Sequence, residues 1–163
     1  MIGTAVDTNV LSEILLAGPG ARTAAGALTR ALQRGPVVVS PIVYAELRAA
    51  APEPDEVDAL LAAMSVEVEF DLPPSAVRAA SSARRAYLAR RRAAGAACGH
   101  PHTGFRCNRC GSALGGPRHI LADFLVGAHA LLRASSLLTW DRGIYGTYFP
   151  DLEVLRPEDP VGG

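Results

Sequence analysis

Short apolar runs alternate with longer segments of helical periodicity along almost the whole chain. The first run, Ile2-Gly3-Thr4-Ala5-Val6, stops abruptly at Asp7. A run this short, bounded by turn or capping residues, reads as a buried strand. Residues 8–16 then predict a helix, which Gly18-Pro19-Gly20 breaks. A second helix is expected over residues 21–33, with Leu28 and Leu32 four apart, and Gly35-Pro36 ends it. The β-branched Val37-Val38-Val39 predicts a second buried strand. Ser40-Pro41 supplies an N-cap and a proline at the first helical position, so a helix follows over residues 42–50. Glu53-Pro54-Asp55 opens another that runs to Met64. Residues 66–70 alternate apolar and acidic side chains, as a strand near a sheet edge would. Leu72-Pro73-Pro74-Ser75 opens a long helix over residues 76–94. Residues 119–134 predict a strong helix with the apolar stripe Ile120, Leu121, Phe124, Leu125, Ala128, Leu131 and Leu132. A fourth strand is expected over residues 137–140, a short helix or turn over 143–149 and a last strand over 152–155. Strands that alternate with helices in this way predict an α/β fold with a mostly parallel sheet.

Composition narrows the function. A chain of 163 residues is long enough for one domain, residues 1–163, with a real hydrophobic core. Its formal net charge is zero, so no global field draws in nucleic acid or a membrane surface. All 16 basic residues are arginine, which excludes any mechanism that needs a lysine. No run is long enough to span a bilayer, and no basic segment leads into an apolar one at the N-terminus. A cytoplasmic protein without membrane attachment is expected.

Four acids stand out by position. Asp7 and Asp141 each follow a strand directly, and in a parallel sheet the ligand crevice lies outside the carboxyl ends of the strands. Glu46 has Ile42, Val43, Ala49 and Ala50 as its helical neighbours and so projects from an apolar face. Asp123 falls in the first turn of its helix, with Gly127 one turn on leaving room beside it. Each acid also has an ordinary structural reading. Asp7 or Thr8 can cap the following helix, Glu46 can pair with an arginine, and Asp123 suits the helix dipole. Four carboxylates in one pocket, however, repel strongly and cannot all stay ionised unaided. Magnesium or manganese, which take carboxylate and water oxygens and leave room for phosphate, relieve that repulsion.

The segments Ala5-Val6-Asp7-Thr8-Asn9-Val10-Leu11, Ser40-Pro41-Ile42-Val43-Tyr44-Ala45-Glu46-Leu47, Leu121-Ala122-Asp123-Phe124-Leu125-Val126-Gly127-Ala128-His129-Ala130 and Leu138-Thr139-Trp140-Asp141-Arg142 resemble the motifs of the PIN domain. More narrowly they are similar to VapC-type toxins of bacterial toxin–antitoxin pairs. Each motif alone is weak, but the four occur in the family's order. The resemblance implies a three-layer α/β/α fold around four to five mostly parallel strands. It also implies a Mg²⁺- or Mn²⁺-dependent endoribonuclease that hydrolyses RNA phosphodiester bonds, with Asp7, Glu46, Asp123 and Asp141 as the catalytic metal ligands. Asn9 and Thr139 stand where the family has polar support residues. Partners implied are an RNA substrate, a small VapB-like antitoxin and a second copy of the chain. Arg118 and Arg142, by position, are candidates to hold flanking phosphates.

Residues 95–118 lie outside that resemblance, as a Cys/His-rich insertion. The three cysteines are confined to residues 98–110, which speaks for a metal or reactive thiols and against a disulfide framework. Cys107 and Cys110 form a Cys-x-x-Cys pair. With Cys98 and either His100 or His102 they make the four ligands of a structural zinc ion. A reduced loop or a redox pair at Cys107 and Cys110 is the alternative. His119 and His129 read as surface or packing residues. Two competing functions deserve weight. A phosphatase or phosphoacceptor domain also places an aspartate after its first strand, but those families rely on a later lysine, and Asn9 stands where a second aspartate is usual. A catalytically inactive, zinc-stabilised PIN-like module that binds RNA or protein is the other.

Overall fold

A computed structural model of the chain describes residues 3–93, 109, 120–141 and 143–158. Five strands form one sheet: β1 (Thr4–Val6), β2 (Val37–Val39), β3 (Val66–Val68), β4 (Ser136–Leu138) and β5 (Glu153–Leu155). Among the described residues, the helices that connect them are α1 (Thr8–Leu15), α2 (Ala21–Arg34), α3 (Pro41–Ala50), α4 (Pro54–Ala63), α5 (Pro74–Ala93), α6 (Leu121–Arg133) and α7 (Ile144–Tyr148). The expected insertion is outside the described residues apart from Arg109, as are Arg118, His119 and Arg142.

The sheet order is β3-β2-β1-β4-β5, and each of its four pairings is parallel. Every residue of β1 and of β4 is buried. Successive side chains point to opposite faces of a sheet, so both faces are covered at its centre. The edge strands β3 and β5 are partly exposed, as the acidic alternation of β3 predicts. The polar side chains inside the centre satisfy each other: the Thr4 and Ser136 hydroxyls are 3.1 Å apart across β1 and β4.

Local chemistry explains the element starts. Ser40 accepts the Val43 amide at 3.2 Å and Pro41 follows at the first helical position, so α3 begins at the carboxyl end of β2. The expected apolar stripe of α6 is only partly the buried one. Ile120, Leu121 and Leu132 are exposed, whereas residues 126–130 are buried on every side. A single stripe describes a helix lying on a surface. Here α6 runs between the sheet, α3 and α5, and small residues such as Gly127, Ala128 and Ala130 admit those neighbours.

The chain adds β2 and β3 on one side of β1, then crosses back to place β4 and β5 on the other. The order therefore reverses between β1 and β4. In open parallel sheets this reversal leaves a crevice at the strands' carboxyl ends, because successive connections diverge to opposite faces there.

Candidate active site

Asp7 and Thr139 flank that crevice. Val6 pairs with Leu138 in register, and the Asp7 amide continues the ladder to the Leu138 carbonyl at 3.0 Å. Asp7 stands at the N-cap position of α1, yet its side chain makes no capping hydrogen bond. It turns instead toward the end of β4 and α7. Its Oδ2 accepts from Thr139 Oγ1 at 2.7 Å, Asn9 Nδ2 at 2.8 Å and the Tyr145 hydroxyl at 3.2 Å.

Thr139 and Asn9 are fixed in turn. The Thr139 hydroxyl donates to Asp7 and accepts from Asn9 Nδ2 at 3.1 Å and the Asp141 amide at 3.0 Å, which uses its one proton and both lone pairs. Asn9 Oδ1 accepts the Trp140 amide at 3.1 Å. These bonds tie the first turn of α1 to the end of β4 and hold the Asp7 carboxylate in one orientation.

The electrostatics are unusual for an aspartate. Asp7 is 8% exposed, and the side chains that hydrogen bond to it are neutral. Burial raises its pKa to about 6, the Thr139, Tyr145 and Thr8 donors oppose the rise, and the negative charge of Asp123 adds to it. Tyr145 is held as a neutral phenol by burial first, and then by the charges of Asp7, Asp123 and Asp141. Asp7 accepts from that hydroxyl, and Asp123 and Asp141 are near enough to act on it through their charge.

The remaining acids have structural duties as well. Asp123 is half-buried, and its Oδ2 accepts the Ile120 amide at 2.7 Å at the start of α6. Asp141 Oδ1 accepts the Gly143 and Ile144 amides at 2.8 and 2.9 Å and so starts α7. Glu46 is half-buried on the flank of α3; Val43 and Leu47 enter the core, while Ala49 and Ala50 are exposed. It is thus not on the buried face that its apolar neighbours suggest. Its partner is the Thr8 hydroxyl rather than an arginine, which sets it one residue from Asp7.

Among the described residues, no three acidic, histidine or cysteine side chains come close enough to hold one ion directly. The donor set nevertheless suits a hard divalent cation. Magnesium is bound through one or two carboxylates and keeps several waters. A buried carboxylate with only neutral hydrogen-bond donors and another acid nearby gains most from such a charge. The cysteines and His100 and His102 are outside the described residues, so no geometry attaches to the expected zinc ligands.

Sequence reasoning did not find Tyr145 or the Thr8 partner of Glu46. Tyr145 lies four residues after Asp141 in a five-residue helix, too short for any periodicity to mark its buried side. Gly127 serves that tyrosine rather than the space beside Asp123. A Cβ there would stand 2.5 Å from the Phe149 ring and 2.9 Å from the Tyr145 ring.

The model of the PIN domain matches residues 4–150. The chain belongs to the PIN domain family. Solved structures similar to this PIN domain include VapBC2 from Rickettsia felis bound to a promoter DNA fragment. That match has a TM-score of 0.62 and 16% identity, and covers 96% of this chain and 98% of that one. VapBC-1 from nontypeable Haemophilus influenzae is similar with a TM-score of 0.58 and 16% identity, over 98% of this chain and 100% of that one. FitAcB from Neisseria gonorrhoeae is similar with a TM-score of 0.57 and 20% identity, over 94% and 97%. At these identities the likeness shows the fold. No curated protein matches the sequence.

Proposed function

We propose that this PIN domain is a metal-dependent endoribonuclease and the toxin of a VapBC-type pair. The observation that carries the reading is the buried Asp7 carboxylate at the β1–β4 switch point, held by neutral donors and repelled by Asp123. That arrangement is costly for the protein alone and useful with a divalent cation. Asp7, Glu46, Asp123 and Asp141 are assigned as the acids that hold Mg²⁺ or Mn²⁺, directly or through water. A bound ion supplies Lewis acidity toward a phosphate oxygen and a water of lowered pKa.

The chain's own residues do the positioning. Asn9 and Thr139 fix the Asp7 carboxylate, so its orientation need not be acquired during reaction. Tyr145, kept protonated by burial, donates to Asp7. Thr8 holds Glu46 at the rim.

The fold's similarity to VapBC and FitAcB structures supports a small antitoxin as partner; a second copy of the chain is a further partner that the family resemblance implies. Among the described residues no helix is long and apolar enough to cross a membrane, and a cytoplasmic location fits an RNA substrate. The spacing of Cys98, His100 or His102, Cys107 and Cys110 supports one structural zinc ion per chain, which elemental analysis of purified protein checks.

The deciding experiment compares wild type and Asp7→Asn on structured RNA with Mg²⁺, Mn²⁺ or EDTA. Cleavage is expected only for wild type with metal, with the variant slower by about 10²-fold or more. Undiminished cleavage by a folded Asp7→Asn refutes the assignment.

A further inference from the structure

The arginines of α5 are the largest feature that the site does not use. This helix carries six arginines, Arg78, Arg84, Arg85, Arg90, Arg91 and Arg92, and no acid in 20 residues. The whole chain has as many acids as bases, so the positive charge is concentrated here. Two arginines elsewhere are paired with acids: Arg48 with Asp55 and Asp58, Arg133 with Glu69 and Asp71. Among the described residues no acid pairs with Arg78, Arg85 or Arg90, and all three are exposed.

Their placement is ordered. Ala76, Ala80, Ala83 and Tyr87 form the buried line of α5. At 3.6 residues per turn, Arg78 and Arg85 fall on the opposite side in one row, about 10.5 Å apart along the axis. The seven-residue interval continues in sequence to Arg92. Small exposed residues, Ser81, Ser82, Ala86 and Ala89, lie between them. The second half of α5 packs beside the acids: the Tyr87 ring is 5.5 Å from that of Phe124, which follows Asp123, and 5.8 Å from that of Tyr148 on α7.

We propose that the outer face of α5, centred on Arg78 and Arg85, is a phosphate-binding track for the backbone of the RNA substrate. This rests on the nuclease reading and adds to it where the substrate strand lies. A crevice of carboxylates repels a polyanion, and a neutral molecule offers no long-range attraction. A local row of guanidinium groups supplies it, through bidentate contacts to phosphate oxygens. A membrane surface fits less well, because the apolar side of α5 is already spent inside the fold.

The test is binding of a labelled 12-nucleotide single-stranded RNA in EDTA, by fluorescence anisotropy, across a series of KCl concentrations. It compares wild type, Arg78→Gln/Arg85→Gln, Arg78→Lys/Arg85→Lys and a control, Arg22→Gln/Arg34→Gln on the exposed side of α2. Circular dichroism checks that each variant is folded. Each lost phosphate contact lowers the slope of log K against log salt by about 0.7 for a single strand. The α5 glutamine pair is therefore expected to lose about 1.4 of slope and to bind several-fold more weakly at low salt. The lysine pair and the α2 control are expected to retain wild-type slope. An unchanged slope in the α5 glutamine pair, or no salt-dependent binding by wild type, overturns the track. So does a loss confined to an acidic polypeptide such as polyglutamate, which would mark a protein partner's surface instead. Cleavage assays keep the two ideas apart. RNA that binds along the track but stays uncut with Mg²⁺ and Mn²⁺ removes the nuclease reading alone, whereas metal-dependent cleavage by a protein whose slope ignores α5 removes the track alone.

Discussion

At Asp7, burial makes the ionised carboxylate unfavourable for the metal-free fold, and the same feature favours the cation proposed above. Its pKa, raised to about 6 by burial, lies above the ordinary aspartate value of 3.8. The folded state therefore binds more protons than the unfolded state between those values, and stability falls as pH rises through that window. Above it the ionised group costs about 3 kcal/mol, since one pKa unit is worth about 1.4 kcal/mol. Metal-free Asp7→Asn is expected to be more stable than wild type by about 1–3 kcal/mol at pH 7.5, with the difference shrinking toward pH 4. Urea unfolding in EDTA at the two pH values measures it; equal stability at pH 7.5 would show that Asp7 is not strained. Tyr145→Phe removes one of the donors that pull the Asp7 pKa down. The pH window is expected to move upward in that variant while Thr139 and Asn9 keep the carboxylate in place, and the same titration reads the shift. His129 sits at the other extreme. It is 1% exposed; among the described residues neither ring nitrogen has a hydrogen-bond partner, Nε2 lies 3.5 Å from Glu69, and burial lowers its pKa. Its neutral form is the folded one, so it packs rather than catalyses, and acid below its ordinary pKa of 6.5 works against the fold.

Helix α6 is the element on which the site depends most, because it carries Asp123 at one end and makes space for Tyr145 in its middle. The space is Gly127. A methyl group there would overlap the Phe149 and Tyr145 rings at 2.5 and 2.9 Å, and both belong to buried parts of the fold. Gly127→Ala improves helix propensity by about 1 kcal/mol, but overpacking costs about 1–3 kcal/mol. The variant is therefore expected to be less stable by up to about 2 kcal/mol, with its tyrosine displaced from Asp7. A thermal melt shows the first effect, and the pH window of metal-free stability shows the second. The elements themselves were legible in the sequence. Glycine–proline breaks, the Ser40-Pro41 start and the short β-branched runs encode local preferences that the fold obeys. Less legible was which side of α6 is buried, since that depends on α3 and α5 closing over it from distant parts of the chain. The acids show the same division. Their positions at strand ends and helix starts could be read locally. That Asp123 and Asp141 also hold backbone amides, that Glu46 turns to Thr8, and that Tyr145 rises to Asp7 are contacts between segments far apart in sequence.

For the whole molecule, the sheet order decides what the acids can do together. Because the order reverses between β1 and β4, the residues following those two strands meet at one edge, and α6 and α7 start beside them. There the charge of Asp123 raises the cost of ionising Asp7, and the charges of all three acids keep the Tyr145 phenol neutral. A cation that binds there stabilises the folded state alone, because the unfolded chain does not gather these acids. At a concentration 100 times its dissociation constant, a divalent ion adds about 2.7 kcal/mol. For a chain of this size that is a rise of roughly 5–10 °C in melting temperature. The gain is expected at pH 7.5 and is expected to fade below pH 6, where protons compete for Asp7. Asp7→Asn should start from a higher metal-free melting temperature and respond less to Mg²⁺ or Mn²⁺. These two shifts have opposite signs, so they separate a metal site from a merely uncomfortable carboxylate. A wild-type melting temperature that ignores both ions at pH 7.5, in a protein whose Asp7→Asn variant is stabilised, would leave the strained acid in place and remove the metal from the account.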